Sequence, residues 1–183
     1  MYTGKISRFC GKLIRMQYPV EFLRAQQLLY DPLGLKVDQF VYERESREYE
    51  AATFLLEGHF ARFRVAKITP TKVGQFVTLW KREGNGPILP FDLADPVDLF
   101  VINVKRNDDF GQFVFPKVLL YEKGFISKGG DGGKRAMRLY PPWDKTDNRQ
   151  AKATQKWQLD YFFQVPIQVE EEKNRFQCLL LSF

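Results

Sequence analysis

The spacing of apolar residues predicts strands over much of the chain. From Phe60 to Ile68, residues of opposite character alternate with a period of two, which predicts a strand that Pro70 ends. The near-continuous apolar run at 97–104 predicts a central strand that is buried on both faces. Further strands are predicted at residues 51–56, 75–80, 112–115 and 136–140.

Helical spacing appears in three other segments. Apolar residues predict a helix over residues 20–30, which Asp31 and Pro32 end. Pro116 and Gly124 fit the start and the stop of a second helix at 117–123. A third helix is predicted from residue 148 to about 163, and the tail from residue 176 is predicted to be an edge strand. The fold class that follows is α+β, with a mixed sheet flanked by helices.

The length of 183 residues fits one domain over 21–183, preceded by a basic extension at 1–20. Ile6, Phe9 and Leu13 have helical spacing among the cations of that extension, which predicts a leader helix; a transit or membrane-surface helix is the alternative. Cys10 and Cys178 share no metal or redox spacing, so we expect reduced thiols in a cytoplasmic protein. No apolar stretch approaches membrane-spanning length, and no membrane partner is expected.

Basic and acidic residues are unevenly distributed along the chain. Residues 59–90 hold six basic and one acidic side chain, and residues 123–157 hold nine and three, so these two tracts carry net charges of +5 and +6. The whole chain carries +6, and the remaining segments therefore sum to −5. Two tracts that meet in the fold would form a cationic face suited to a polyanion, whereas two separated tracts would be ordinary solvated faces.

The first tract, AKITPTKVGQFVTLWKR at 66–82, combines cations, hydroxyls and one tryptophan. Such donors suit phosphate groups, and a ring beside a basic pair can stack a base or simply fill the edge of the core. The candidate nucleic-acid-binding residues of this tract are Lys67, Thr69, Thr71, Lys72, Trp80, Lys81 and Arg82.

The second tract continues from the glycine-rich loop at 127–133 into a predicted strand and helix. Its candidate binding residues are Lys134, Arg135, Arg138, Trp143, Lys152 and Lys156. No helix-turn-helix, zinc-finger or RNA-recognition signature accompanies them, so they predict phosphate contacts without reading of the base sequence.

Catalytic chemistry has a weaker basis in the sequence. A single histidine and the lack of zinc-ligand spacing leave only carboxylates with a lysine, the groups used in metal-assisted phosphodiester cleavage. Asp98 at the start of the central strand and Lys117 after the next strand are the candidates. A nuclease would need a second acid two residues before that lysine, where Phe115 stands. We therefore expect no cofactor, with Mg²⁺ required only for a rearranged nuclease site.

Five motifs resemble the MepB-like family over about residues 28–163: ERESREY (43–49), FRVAKITPTKVGQFVTLWKR (63–82), GQFVFPK (111–117), GKRAMRLYPPWD (133–144) and TQKWQ (154–158). The resemblance implies a core like that of restriction endonucleases or tRNA endonucleases, with Asp98 and Lys117 near a former active site. Phe115 departs from the pattern that cleavage requires, which favours a catalytically degenerate scaffold that binds nucleic acid.

Three hypotheses follow from these observations. The leading one is a sequence-tolerant protein that binds DNA or RNA. The second is a metal-dependent nuclease with rearranged carboxylates, and the third is a regulatory module whose basic face docks an acidic protein.

Overall fold

The computed structural model describes residues 18–182, and its centre is a six-stranded mixed sheet. Its strands are Val37–Tyr42 (β1), Ala52–Leu56 (β2), His59–Val65 (β3), Leu99–Arg106 (β8), Asp109–Pro116 (β9) and Phe162–Gln164 (β13). They lie side by side in that order; β3 and β8 are parallel, and every other neighbouring pair is antiparallel. With the helices described below, this sheet confirms the predicted α+β class.

The two faces of the main sheet support separate cores, because alternate side chains of a strand point to opposite faces. On β8, Leu99 and Val101 pack on one face, while Phe100 and Ile102 pack on the other. The first face is covered by α1 (Val20–Ala25), its π-helical continuation Gln26–Tyr30, and α4 (Glu170–Leu181).

Buried polar groups connect α1 to the centre of the main sheet. The Tyr30 hydroxyl donates to Gln112 Oε1 over 2.8 Å, and Gln112 Nε2 donates to Asn103 Oδ1 over 2.6 Å. Asn103 Nδ2 then donates to the backbone oxygen of Glu21 over 2.9 Å. Because these partners satisfy one another, the network fixes the helix on the sheet at little desolvation cost.

The second face of the main sheet is covered by a smaller sheet of three strands, which we call the small sheet. It consists of β4 (Lys67–Thr69), β5 (Lys72–Thr78) and β12 (Ala136–Leu139), with β5 in the middle and both pairings antiparallel. Val77, Met137 and Leu139 point inward and pack with the phenylalanines of β8 and β9. Gln75 Nε2 also donates to the backbone oxygen of Lys105, which ties the two sheets together.

Two short ribbons and two helices complete the second layer. The ribbons pair Trp80–Arg82 (β6) with Ile88–Pro90 (β7), and Ser127–Lys128 (β10) with Asp131–Gly132 (β11). The helices are Lys117–Glu122 (α2) and Arg149–Leu159 (α3). Asn148 begins α3 as its N-cap, since its side-chain oxygen accepts from the backbone N–H of Ala151 over 2.8 Å.

Three sequence predictions of secondary structure were wrong in informative ways. The tail from Phe176 belongs to a helix, because Phe176 and Leu180 are spaced four residues apart and both face the first core. The single strand predicted over 60–68 is split, because the chain leaves the main sheet after Ala66. Residues 88–90, for which no strand was predicted, pair with β6.

The predicted extension at 1–20 lies mostly outside the described residues, and so does Cys10. Val20 already belongs to α1, and Cys178 is a free, exposed thiol on α4. Among residues 18–182, no helix combines the length and the apolar character needed to cross a bilayer.

Candidate nucleic-acid interface

The two cationic tracts meet in the small sheet. β12 from the second tract pairs with β5 from the first, with Arg138 opposite Phe76 and Ala136 opposite Thr78. On the other side of β5, Lys67 is opposite Phe76. Because paired residues of adjacent strands share a face, Lys67, Phe76 and Arg138 form one row on the side that faces away from the main sheet. We call this side of the small sheet the outer face.

Aromatic rings hold several of these cations in place. The ammonium of Lys67 lies 5.0 Å from the centre of the Tyr49 ring, and the Arg138 guanidinium carbon lies 5.8 Å from the centre of the Phe76 ring. Tyr49 and Phe76 contact each other with ring centres 6.3 Å apart. A ring attracts a cation through its quadrupole without cancelling the charge, so these side chains are oriented while remaining positive.

Most candidate cations of the sheet have no carboxylate partner among the described residues. Lys67, Lys72, Lys134 and Arg135 are exposed and form no ion pair with an acid of that part of the chain. Lys134 and Arg135 directly precede β12, and the backbone oxygen of Arg135 accepts from Leu79 N, which extends the pairing with β5. The small sheet therefore concentrates positive charge that forms no ion pair with the acids of residues 18–182.

Arg138 also has a structural role at the β4–β5 turn. Its Nη1 donates to Thr69 Oγ1 over 2.9 Å and lies 3.2 Å from the backbone oxygen of Gly74. Gly74 has a φ of +86° and faces Tyr140 so closely that a side chain at residue 74 would clash with its ring. Arg138 and Thr69 thus shape the hairpin on which Thr71 and Lys72 are exposed.

The segment at 43–50, which contains the ERESREY motif, lies across one end of the outer face. Ser46 Oγ accepts from Thr78 Oγ1 over 3.2 Å, and Glu45 Oε1 accepts from Arg82 Nε over 3.0 Å. Tyr49 of the same segment provides the ring beneath Lys67. The segment therefore brings one acidic and one aromatic side chain directly to the cationic residues.

Glu43 anchors this segment to the main sheet. Its two carboxylate oxygens accept from Arg64 Nη1 and Nη2 over 3.1 and 2.7 Å, and Arg62 Nη1 donates to the first of them over 2.8 Å. The Arg64 side chain is only 1% exposed. Burial lowers the pKa of Arg64, and Glu43 opposes that shift by its charge and its hydrogen bonds.

Lys81 and Lys117 are engaged by the loop at 91–96. Lys81 Nζ lies 2.6 Å from Asp95 Oδ1 and 3.1 Å from Glu83, on the opposite parity from Trp80 and Arg82. Burial lowers the pKa of Lys81, but its carboxylate partners outweigh that effect and the net shift is upward. Lys117 Nζ donates to the backbone oxygens of Leu93 and Asp95, each over 2.8 Å. Both ammonium groups thus brace this loop.

The glycine-rich loop is occupied by a carboxylate of the protein. Asp92 Oδ2 accepts from Gly130 N over 3.0 Å and from Ser127 Oγ over 2.8 Å, and Oδ1 accepts from Ala94 N. Hydrogen bonds from the Ala94 and Gly130 amides, then from Ser127, hold the pKa of Asp92 well below its usual range. Donors of this loop are therefore already hydrogen-bonded to the Asp92 carboxylate.

The two predicted catalytic residues are neighbours on the backbone, but their side chains have different partners. Lys117 N donates to the backbone oxygen of Asp98, while the Asp98 carboxylate accepts from Phe60 N over 2.8 Å at the start of β3. Phe115 is buried in the second core. Within residues 18–182, no three His, Cys, Asp or Glu side chains are grouped to hold a metal ion.

The remaining candidates lie away from the outer face. Trp143 packs against Phe162, and Trp157 packs against Phe115, so both rings belong to the second core. Gln158 directs α3 toward β12 by donating to the backbone oxygen of Arg138. At about 100° per residue, Lys152 and Lys156 lie roughly 120° and 160° around the helix from Gln158. They are exposed on the far side of α3.

Sequence reasoning missed the residues that orient the cations. Tyr49 and Phe76 were not among the candidates, although strand alternation places Phe76 on the same parity as Trp80. Glu45 was not among the candidates either, and only the fold shows that it reaches Arg82. The alternation of Glu and Arg in ERESREY was the available signal of local ion pairing.

Comparison with known proteins gives two similar structures and one family. The MepB-like family model matches residues 43–164, a range that contains both strands of the β5–β12 pair. The crystal structure of MepB is 38% identical, with a TM-score of 0.67 over 70% of this chain and 86% of that chain. A bacterial homing endonuclease is 16% identical, with a TM-score of 0.37 over 75% of this chain and 83% of that chain. No curated protein matches the sequence.

Proposed function

The chain belongs to the MepB-like family, and we propose that it is a sequence-tolerant nucleic-acid-binding protein on a catalytically degenerate, nuclease-like scaffold. The observation that carries the proposal is the pairing of β5 with β12. That pairing joins segments with net charges of +5 and +6 in a chain whose total is +6. A phosphodiester chain is the polyanion whose regular charge spacing suits such a surface.

The exposed cations of the small sheet are available for phosphate contacts. Lys67 is held over Tyr49 and Lys134 over the Phe125 ring, with 4.7 Å from the Lys134 ammonium to the ring centre. Orientation by a ring reduces the side-chain entropy that binding must remove. Lys72 and Arg135 add exposed charge at the two ends of the β5–β12 pair.

Sequence tolerance follows from the shape of the surface. Phosphate contacts position a nucleic acid without reading its bases, whereas base reading requires an element that enters a groove. The outer face is a small sheet with a partly exposed Trp80 beside it, and a ring can stack on any base. We therefore assign affinity to Lys67, Lys72, Lys134 and Arg135, and sequence-independent stacking to Trp80.

Loss of catalysis is the second part of the proposal. Lys117 and Asp98 stabilise the loop at 91–96 and the start of β3, and Phe115 provides no metal ligand. Among residues 18–182 no cluster of carboxylates is placed to hold Mg²⁺, and on this scaffold the nucleic acid is therefore bound without being cleaved.

A gel-shift titration with mixed-sequence oligonucleotides at about 50 and 200 mM salt tests the binding function. Single strands and duplexes of DNA and RNA are compared in parallel, with unrelated sequences of equal length. We expect binding at low salt that weakens steeply at high salt and varies little with sequence. Absence of binding at about 50 mM salt would refute the proposal. Capture of an acidic protein that survives nuclease treatment would favour the protein-docking alternative instead.

A further inference from the structure

We propose that Arg82, which lies beside the small sheet, is a phosphate contact. In the unbound protein Arg82 is paired with Glu45, and the ligand's phosphate replaces the Glu45 carboxylate. This inference rests on the proposed function, because it concerns how the same face binds its ligand. It assigns a role to the ERESREY segment, which the binding proposal leaves without one.

Arg82 is placed by contacts other than Glu45. Its Nη1 donates to the backbone oxygen of Gly86 over 2.7 Å, and its guanidinium carbon lies 5.5 Å from the centre of the Trp80 ring. Glu45 Oε1 accepts from the Arg82 Nε–H over 3.0 Å. Removal of the carboxylate therefore leaves Arg82 held beside Trp80, with its Nε–H available to another anion.

The Glu45–Arg82 pair is exposed enough to exchange. The side chains of Arg82 and Glu45 are 32% and 47% exposed. Exposed ion pairs contribute about 0.2–1 kcal/mol, and a phosphate is a strong competitor for a guanidinium. Replacement of one anion by another at Arg82 thus has a small cost.

The backbone does not need to move for this exchange. Glu43, two residues before Glu45, is fixed by Arg62 and by the buried Arg64, and Ser46 contacts Thr78. Rotation of the Glu45 side chain is sufficient to uncover Arg82. The Glu45 carboxylate therefore competes with the ligand's phosphate for Arg82 and lowers the affinity of the protein for that ligand.

Glu48 provides a matched control. It lies on the same segment, is exposed, and forms no ion pair with a cation among the described residues. Glu45→Gln and Glu48→Gln change the net charge equally, so both raise affinity equally through long-range attraction. Only Glu45→Gln releases Arg82.

The experiment measures fluorescence anisotropy of a labelled mixed-sequence oligonucleotide at about 50 mM salt, with the full chain. We expect Glu45→Gln to bind about 1.4- to fivefold more tightly than Glu48→Gln, which is the surface ion-pair energy expressed as an affinity ratio. In the Arg82→Gln background, Glu45→Gln should bind no more tightly than Glu48→Gln does. Thermal unfolding confirms that each variant is folded.

Three results would overturn the inference. Equal affinities of Glu45→Gln and Glu48→Gln show that only net charge matters, and weaker binding by Glu45→Gln shows that Glu45 positions Arg82 for the ligand. An advantage of Glu45→Gln over Glu48→Gln that persists without Arg82 shows that another group responds. In each case a binding wild type leaves the proposed function intact, whereas no binding by any variant overturns both proposals.

Discussion

Neutralising three cations of the small sheet should weaken nucleic-acid binding and reduce its dependence on salt. The variant replaces Lys67, Lys134 and Arg135 with glutamine. All three side chains are exposed and have no carboxylate partner among the described residues. The losses in stability are confined to the ring contacts of Lys67 and Lys134, about 0.5–1 kcal/mol each.

The size of the effect on binding follows from counterion release. Each lost phosphate contact lowers the magnitude of the slope of log K against log salt by about 0.9 on duplex and about 0.7 on single strands. Three contacts therefore reduce it by about 2.7 or about 2.1. When salt is raised from about 50 to 200 mM, both proteins lose affinity by some factor. That factor should be roughly 20- to 40-fold smaller for the variant than for the wild type.

The matched control removes the same charge from α3 by replacing Arg149, Lys152 and Lys156 with glutamine. These residues share the side of α3 that faces away from Gln158. Anisotropy titrations at four salt concentrations give both slopes. The account predicts that the control slope changes by less than about 1. Equal slope changes in the two variants would refute the assignment of binding to the small sheet.

Three further predictions concern chemistry and stability. When nucleic acids are incubated with the protein and Mg²⁺ or Mn²⁺, no cleavage product should depend on Asp98. A product formed by the wild type and not by Asp98→Ala would restore the nuclease hypothesis. Glu43→Gln should destabilise the fold by about 3–5 kcal/mol in urea unfolding, because it leaves the buried Arg64 charge without its carboxylate; a loss no larger than that of Glu48→Gln would contradict this. The pKa of Asp92 is lower in the folded state than in the unfolded state. The Asp92 carboxylate therefore stabilises the fold above the ordinary aspartate pKa of about 3.9, and this stabilisation is lost as pH falls below that value. Asp92→Asn should therefore flatten the fall in melting temperature below about pH 4, and an unchanged pH profile would count against the role of its hydrogen bonds.

The sequence predicted the strands that carry the interface because their patterns were local. Local patterns identified the strands at β5 and β12, whereas the charge distribution left open whether the two tracts meet, and the fold shows that they pair. The tail from Phe176 was misread because a short apolar run near the C-terminus fits a strand as well as a helix. Glu170, Glu171 and Glu172 in the first turn were the helix signal that should have decided it.

The partners of individual charged residues could not be predicted, because they depend on contacts distant in sequence. Lys81 appeared equivalent to Arg82, yet one faces Asp95 and the other faces Trp80. Arg64 alternates with apolar residues as an exposed strand position would, but the fold buries it against Glu43. Net charge along the chain is therefore a better guide to a binding surface than any single cation within it.

The most direct test is a crystal structure of the protein with a mixed-sequence oligonucleotide. The phosphodiester chain should cross the small sheet, with phosphate oxygens within roughly 4 Å of Lys67 Nζ and of the Arg135 guanidinium. A chain bound along α3 or the first face of the main sheet, with the small sheet uncovered, would contradict the account.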